Sequence, residues 1–107
     1  MPTTQPQTEI LALEGEIDLH RSPEIKDLLK PLIQRKVPRI LLDLSRVTYI
    51  DSSGLAVLIE ALQGVLKYGG KLGLFALREN IRNIFEIARL DQVFEVFPDE
   101  AAALAAA

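Results

Sequence analysis

The chain has 107 residues, 49% of them hydrophobic and 25% charged, the composition of one ordinary domain that can bury a single core. With 12 Lys and Arg against 15 Asp and Glu the formal charge is -3, so no electropositive field is available to hold nucleic acid. The absence of cysteine removes disulfides, thiolate zinc sites and a cysteine nucleophile together, and suits the reducing cytoplasm.

Residues 1–7 (MPTTQPQ) lack the basic and apolar parts of a secretory signal and read as a disordered lead-in, which leaves 8–107 as a single domain. Glu9 to Glu14 (EILALE) is a short apolar strand stopping at Gly15, and Glu16-Ile17-Asp18 follows as a second short strand or turn, a hairpin-like entry. Ser22-Pro23 is a capping residue followed by a proline suited to a first turn. It opens a helix with Ile25, Leu28, Leu29, Leu32 and Ile33 on one face, and Pro31 inside predicts a kink or an early end.

Arg39 to Leu44 (RILLDL) has the continuous apolar pattern of a central strand, with 45–50 as the loop after it. A second helix places Leu55, Leu58, Ile59, Leu62 and Leu66 on one face and ends at Gly69-Gly70. It carries Glu60 and Gln63 and falls short of the roughly 18 uninterrupted apolar residues of a membrane span, so no membrane insertion is expected. Lys71 to Leu77 is another buried strand, and Ile81, Ile84, Phe85 and Ala88 mark a third helix. Val93 to Phe97 is a last strand, and Asp99-Glu100 opens an alanine-rich final helix. The alternation predicts an α/β fold: a mixed, mostly parallel sheet of four to five strands, with helices one to three on one face and the opposite face either partly exposed or covered by the chain ends.

Several chemistries lack their residues. The only histidine, His20, is far from the serines along the chain and reads as a turn residue, and no nucleophile-elbow glycines flank Ser52 or Ser53. Gly64 to Gly69 mimics a phosphate loop but lacks its lysine and hydroxyl, and it runs from helix to strand instead of the reverse. No acids or histidines have metal-ligand spacing; Asp43 and Asp51 read as loop and cap residues. Arg35, Lys36 and Arg39 read as cations at the negative end of helix one, and Arg78, Arg82 and Arg89 as a solvated face of helix three. No catalytic residue, cofactor or metal is therefore expected.

The Asp51-Ser52-Ser53-Gly54 group stands between a strand and a helix. Each of its first three residues is a good N-cap type. The same place, with unpaired N–H donors and a positive dipole, also tolerates a phosphate on a hydroxyl, and Gly54 leaves the approach to that hydroxyl uncrowded. Four stretches extend this signal: Gly15-Glu16-Ile17-Asp18; Ile40–Leu44 with Val47, Tyr49, Ile50 and the Asp51 to Leu55 run; Gly69-Gly70; and Phe85–Leu90 with Asp91, Val93 and Phe94. In this order and spacing the chain resembles the STAS domain of bacterial anti-sigma factor antagonists over roughly residues 8 to 100.

The resemblance implies a phosphorylation-controlled partner switch. Ser52 matches the family's phosphate acceptor, Ser53 follows it and helps cap the helix, and Asp18 matches an acid in a nearby loop. Asp18, Asp51, Ser52, Ser53 and Gly54 would form the partner surface. Unphosphorylated, a cytoplasmic monomer would bind an anti-sigma factor with serine kinase activity; phosphorylation would release it and a serine phosphatase would reset it. The alternative is a STAS scaffold subunit of a stress-signalling or membrane-transport assembly that never accepts phosphate. Arg89 stands where the family often has glycine before the Leu-Asp pair, which questions the geometry at the end of helix three.

Overall fold

The computed structural model of the chain describes residues 8–106; the lead-in expected over 1–7 lies outside them. Four strands, β1 (Thr8–Ile17), β2 (Arg39–Ile50), β3 (Lys71–Phe75) and β4 (Glu95–Phe97), alternate with helices α1 (Ser22–Gln34), α2 (Ser52–Lys67), α3 (Glu79–Ile87) and α4 (Glu100–Ala105). The sheet runs in the order β1-β2-β3-β4, and all three pairings are parallel. A sheet built one strand at a time in one direction, with right-handed crossovers, must place every crossover helix on the same side. α1, α2 and α3 accordingly share one face, burying Ile25, Leu29, Leu58, Leu62, Ile81 and Phe85 against the sheet. α4 follows the last strand and is not bound by that rule; its Ala103 packs on the other face with Leu41 and Phe75.

The first strand corrects the hairpin-like entry. β1 passes through Gly15 without turning back and lies parallel to β2, with the interruption absorbed as an irregularity in register at Gly15, where φ is +77°. The expected loop 45–50 is likewise strand. Between Ala12 and Glu14, and again between Gly15 and Glu16, β2 advances by one residue more than β1, so β2 contains two bulges. Each bulge flips the face that the following residues present. The buried residues of β2 therefore go from the two-residue spacing of Ile40, Leu42 and Leu44 to the three-residue spacing of Leu44, Val47 and Ile50.

Other boundaries move less. α1 continues past Pro31 to Gln34, with Pro31 on its exposed side, where the carbonyl that loses a partner can reach water. The buried stripe of α2 runs through Gly54, Leu58, Ala61, Leu62 and Val65, leaving Leu66 exposed. β3 stops at Phe75, and a single 3-10 turn, Leu90–Gln92, delays β4 until Glu95. Phe85 and Phe94 pack edge to face across this turn, with ring centroids 5.8 Å apart.

Two groups of cations are redistributed. Arg35 pairs with Glu9 at 3.2 Å, whereas Arg39 opens β2 and buries its guanidinium against the carbonyl of Ala103, so it serves the negative end of α4 and not of α1. Arg78 precedes α3 and Arg89 follows it. At the sheet's N-terminal end the Tyr68 hydroxyl donates to the carbonyl of Val37 at 2.7 Å, and burial, which disfavours the charged phenolate, pushes the pKa of the phenol above its ordinary value.

Arg89 resolves the question raised by the missing glycine. It takes the left-handed conformation itself, at φ 60°, and its N–H donates to the carbonyl of Glu86 at 3.1 Å. A side chain there is strained by roughly 1 kcal/mol. Arg89→Gly should therefore raise stability by about 0.5–1 kcal/mol, read as a higher urea midpoint with unchanged slope. An unchanged or lower midpoint would show that the arginine side chain compensates the strain.

Candidate functional site at the first turn of α2

The site begins where the sheet ends. Ile17 and Ile50 are register partners on adjacent parallel strands, so Asp18 and Asp51, one residue further on, open two neighbouring loops at the C-terminal edge of the sheet. Such edges are where open α/β sheets present their functional groups.

Asp51 is the cap of α2. Its backbone is extended, with φ -113° and ψ -173°, and its Oδ1 accepts from the N–H groups of Ser53 at 2.9 Å and Gly54 at 3.1 Å. Ser53 does not share the capping, contrary to expectation: it lies inside the first turn and its N–H is a donor to the cap. Gly54 also has a different role from the one inferred. It is buried, and a Cβ there would collide with the Ile17 carbonyl oxygen and come within 2.8 Å of both Ile17 Cγ2 and Ile50 Cγ1. Only a residue without a side chain lets α2 rest on the strand ends, so Gly54 shapes the surface from beneath.

Ser52 is left without a structural task. It is the first residue of α2 and exposed, and among the described residues its hydroxyl makes no hydrogen bond. A primary alcohol stands at the positive end of a sixteen-residue helix with a carboxylate on the preceding residue.

Asp18 organises the neighbouring loop. Its Oδ1 accepts from the N–H groups of His20 and Arg21, each at 3.0 Å, and its carbonyl accepts from the Ser22 hydroxyl at 2.8 Å. Ser22 is thus the first residue of α1 and donates backward; it is not the cap. His20 sits exposed in this turn, as its sequence position suggested.

Sequence reasoning missed the residues that hold this end of the sheet. The Arg21 guanidinium reaches the carbonyls of Glu14 and Glu16 and the carboxylate of Glu24. Arg78 Nε donates to the carbonyl of Ser45 at 3.0 Å and Asn80 Nδ2 to that of Thr48 at 3.1 Å, along the part of β2 that outruns β3. Leu19 and Tyr49, 67% and 47% exposed, add apolar surface to the same end. No sequence pattern marks long-range side-chain bonds of this kind. Among the described residues no cluster of acids or histidines could hold a metal ion, and no helix is long and apolar enough to cross a membrane.

An α/β module with sequential parallel strands, three helices on one face and an exposed serine at the edge of the sheet is the class that fold and site define. Its family model is described as the STAS domain and matches residues 1–103; the chain belongs to that family. The anti-sigma-B factor antagonist of Listeria monocytogenes is 32% identical over 82 residues, spanning 77% of this chain and 72% of that protein. The crystal structure of an anti-sigma factor antagonist from Mycobacterium paratuberculosis superposes with a TM-score of 0.85 at 25% identity, over 97% of this chain and 88% of that one. The Bacillus cell fate determinant SpoIIAA in its phosphorylated form superposes with a TM-score of 0.71 at 20% identity, over 97% of this chain and 94% of that one.

The division of labour within the tetrapeptide can be tested by unfolding in urea. Gly54→Ala should cost about 3 kcal/mol, because the collision is with backbone that cannot step aside. Asp51→Ala should cost about 1 kcal/mol as a lost cap. Ser52→Ala and Ser53→Ala should each stay within about 0.5 kcal/mol of wild type. A larger loss at Ser53 would restore it as part of the cap.

Proposed function

We propose that this protein is an anti-sigma factor antagonist working as a phosphorylation-controlled partner switch, with Ser52 as the phosphate acceptor. The observation that carries the reading is the separation of roles at residues 51–54: Asp51 does the capping and Gly54 the close packing, while Ser52 is exposed and idle. The name of the Listeria relative supports the antagonist role, and the phosphorylated form of SpoIIAA supports a phosphate on a protein of this fold.

In this reading the unphosphorylated protein, a single domain in the cytoplasm, binds an anti-sigma factor that is also a serine kinase. The chain supplies the hydroxyl and the docking surface and is not itself an enzyme. Transfer of phosphate to the Ser52 oxygen adds about -1.5 to -2 charges beside the Asp51 carboxylate and close to the loop of Asp18. The helix terminus tolerates that charge; a partner surface covering it does not, because two like charges would have to be desolvated together. Turning a 1:99 balance into 99:1 takes roughly 5.5 kcal/mol, more than a screened charge at an interface rim supplies, so Ser52 belongs inside the contact. A serine phosphatase returns the protein to its binding state.

Three variants and one mass measurement test this. Ser52→Ala should bind the kinase partner and take no phosphate. Ser52→Asp should bind at least about tenfold more weakly yet unfold at the wild-type midpoint or slightly above, since an acid in the first turn of a helix is worth about 0.3–1 kcal/mol. Ser53→Ala should remain a substrate. Intact mass with fragment localisation, on protein recovered from its own cells in growth and under stress, should find phosphate on Ser52 with an occupancy that changes. Absence of phosphate in every condition would favour the scaffold alternative.

A further inference from the structure

β1 is the edge strand of the sheet, and among the described residues only β2 lies beside it. Along a strand, alternate residues turn their backbone groups to opposite sides. Ile17 turns its carbonyl inward, where it accepts from the N–H of Asp51, whereas Glu14 and Glu16 turn theirs outward into the Arg21 guanidinium. Because the extra residues of both bulges lie in β2, the alternation along β1 continues back through Ala12, Ile10 and Thr8. Those three residues also direct N–H and C=O out of the sheet.

Arg21 blunts only the C-terminal half of this edge. No bond to the outward groups of Thr8, Ile10 or Ala12 is formed among the described residues. The segment is also uncharged in effect: its one acid, Glu9, is held by Arg35 at 3.2 Å. Ile10, opposite Leu41 in register, is 42% exposed on the face that α4 only partly covers, and Leu104 of α4 is 46% exposed on that same face. An unblunted, uncharged, partly apolar edge is a template for another strand.

We propose that a second copy of this chain supplies that strand, residues 8–12 of the two copies pairing antiparallel about a twofold axis at Ile10. This register sets Ile10 against Ile10, Thr8 against Ala12 and Glu9 against Leu11, so a β-branched pair meets at the centre and no like charges face each other. An axis at Ala12 would set Ile10 against Glu14 and compete with Arg21 for the carbonyls it holds. The two four-stranded sheets become one continuous sheet, which replaces the monomer expected from sequence. The contact is small, on the weak side of the roughly 1,200 Å² that separates transient from standard interfaces, so the dimer forms at high concentration. It is independent of the function proposed above, whose site lies at the other end of β1.

Sedimentation equilibrium from about 10 µM to about 1 mM reads the association directly. The full chain should move from the mass of one copy toward that of two. Ala12→Pro removes an outward N–H that makes no bond to β2, a place where edge strands accept proline, and Ile10→Lys sets two cations across the axis. Each variant should keep the wild-type circular dichroism and unfolding midpoint and lose at least about tenfold in association. A full chain that stays at single-copy mass at about 1 mM overturns the proposal. So does association that survives unchanged in both folded variants, which would place the contact elsewhere. Association that appears only after residues 2–7 are deleted also overturns it, by showing that the lead-in covers this edge.

Discussion

The constraint on which the rest of the structure depends is the seating of the first turn of α2 on the carbonyl of Ile17. Two features act on that oxygen at once. The Asp51 N–H donates to it at 3.3 Å, and Gly54 lets the helix backbone come close enough that any side chain would collide with it. The contact fixes where α2 begins, and therefore which residue is exposed at its first position. It also locks the end of β1 to the end of β2, because Ile17 and Ile50 both lie within reach of the missing Cβ. Glycine here has ordinary helical geometry, so its role is spatial and not conformational, unlike Gly15 at φ +77°.

The ribbon that carries this contact is long and would be exposed on both edges without help. β2 continues for seven residues after its last pairing with β3, and β1 has no outer neighbour among the described residues. Parallel sheets are usually buried, and a bare edge invites wrong pairing. The structure answers with side chains where strands are missing: Arg21 on the carbonyls of Glu14 and Glu16, Arg78 on Ser45, Asn80 on Thr48. These bonds tie both α1 and α3 to the overhang. The end of the sheet around Ser52 is thus braced by side chains where a third strand is missing.

The fold class, the three helices on one face and the tetrapeptide were legible because they rest on local rules: apolar periodicity, cap chemistry and the handedness of crossovers. The errors in β1 and β2 share one physical cause. Bulges break the period of two, and Leu44, Val47 and Ile50 at intervals of three read as loop to any pattern that assumes a regular strand. Gly15 was a true signal of irregularity read as a turn, since a left-handed glycine serves a hairpin and a bulge equally well. Within residues 51–54 the sequence offered three equivalent caps. What separated Asp51 from Ser52 and Ser53 was its position against Ile17 across the sheet, a contact between residues 34 apart in the chain. Arg39 shows the same limit, since nothing local ties it to Ala103.

The geometry also bears on how a switch at Ser52 would operate. A modification can act by moving the domain between two shapes or by changing what its fixed surface repels. The first needs a bistable element next to the modified residue. Here the residue after Ser52 is held by the Asp51 carboxylate, the next is clamped on Ile17, and Ile17, Ile50 and Leu58 beneath are closed to solvent. The described residues contain no buried side-chain polar atom without a partner, so there is no stored defect for a phosphate to relieve. The turn would accept the new charge in place, stabilised by the helix terminus and facing the neighbouring carboxylate across the surface. The two states that phosphorylation would select between would then be the bound and the unbound domain, with its conformation the same in both. On this account the carboxylate of Asp51 acts twice: its bonds to the helix keep Ser52 presented, and its charge adds to the repulsion once the phosphate arrives.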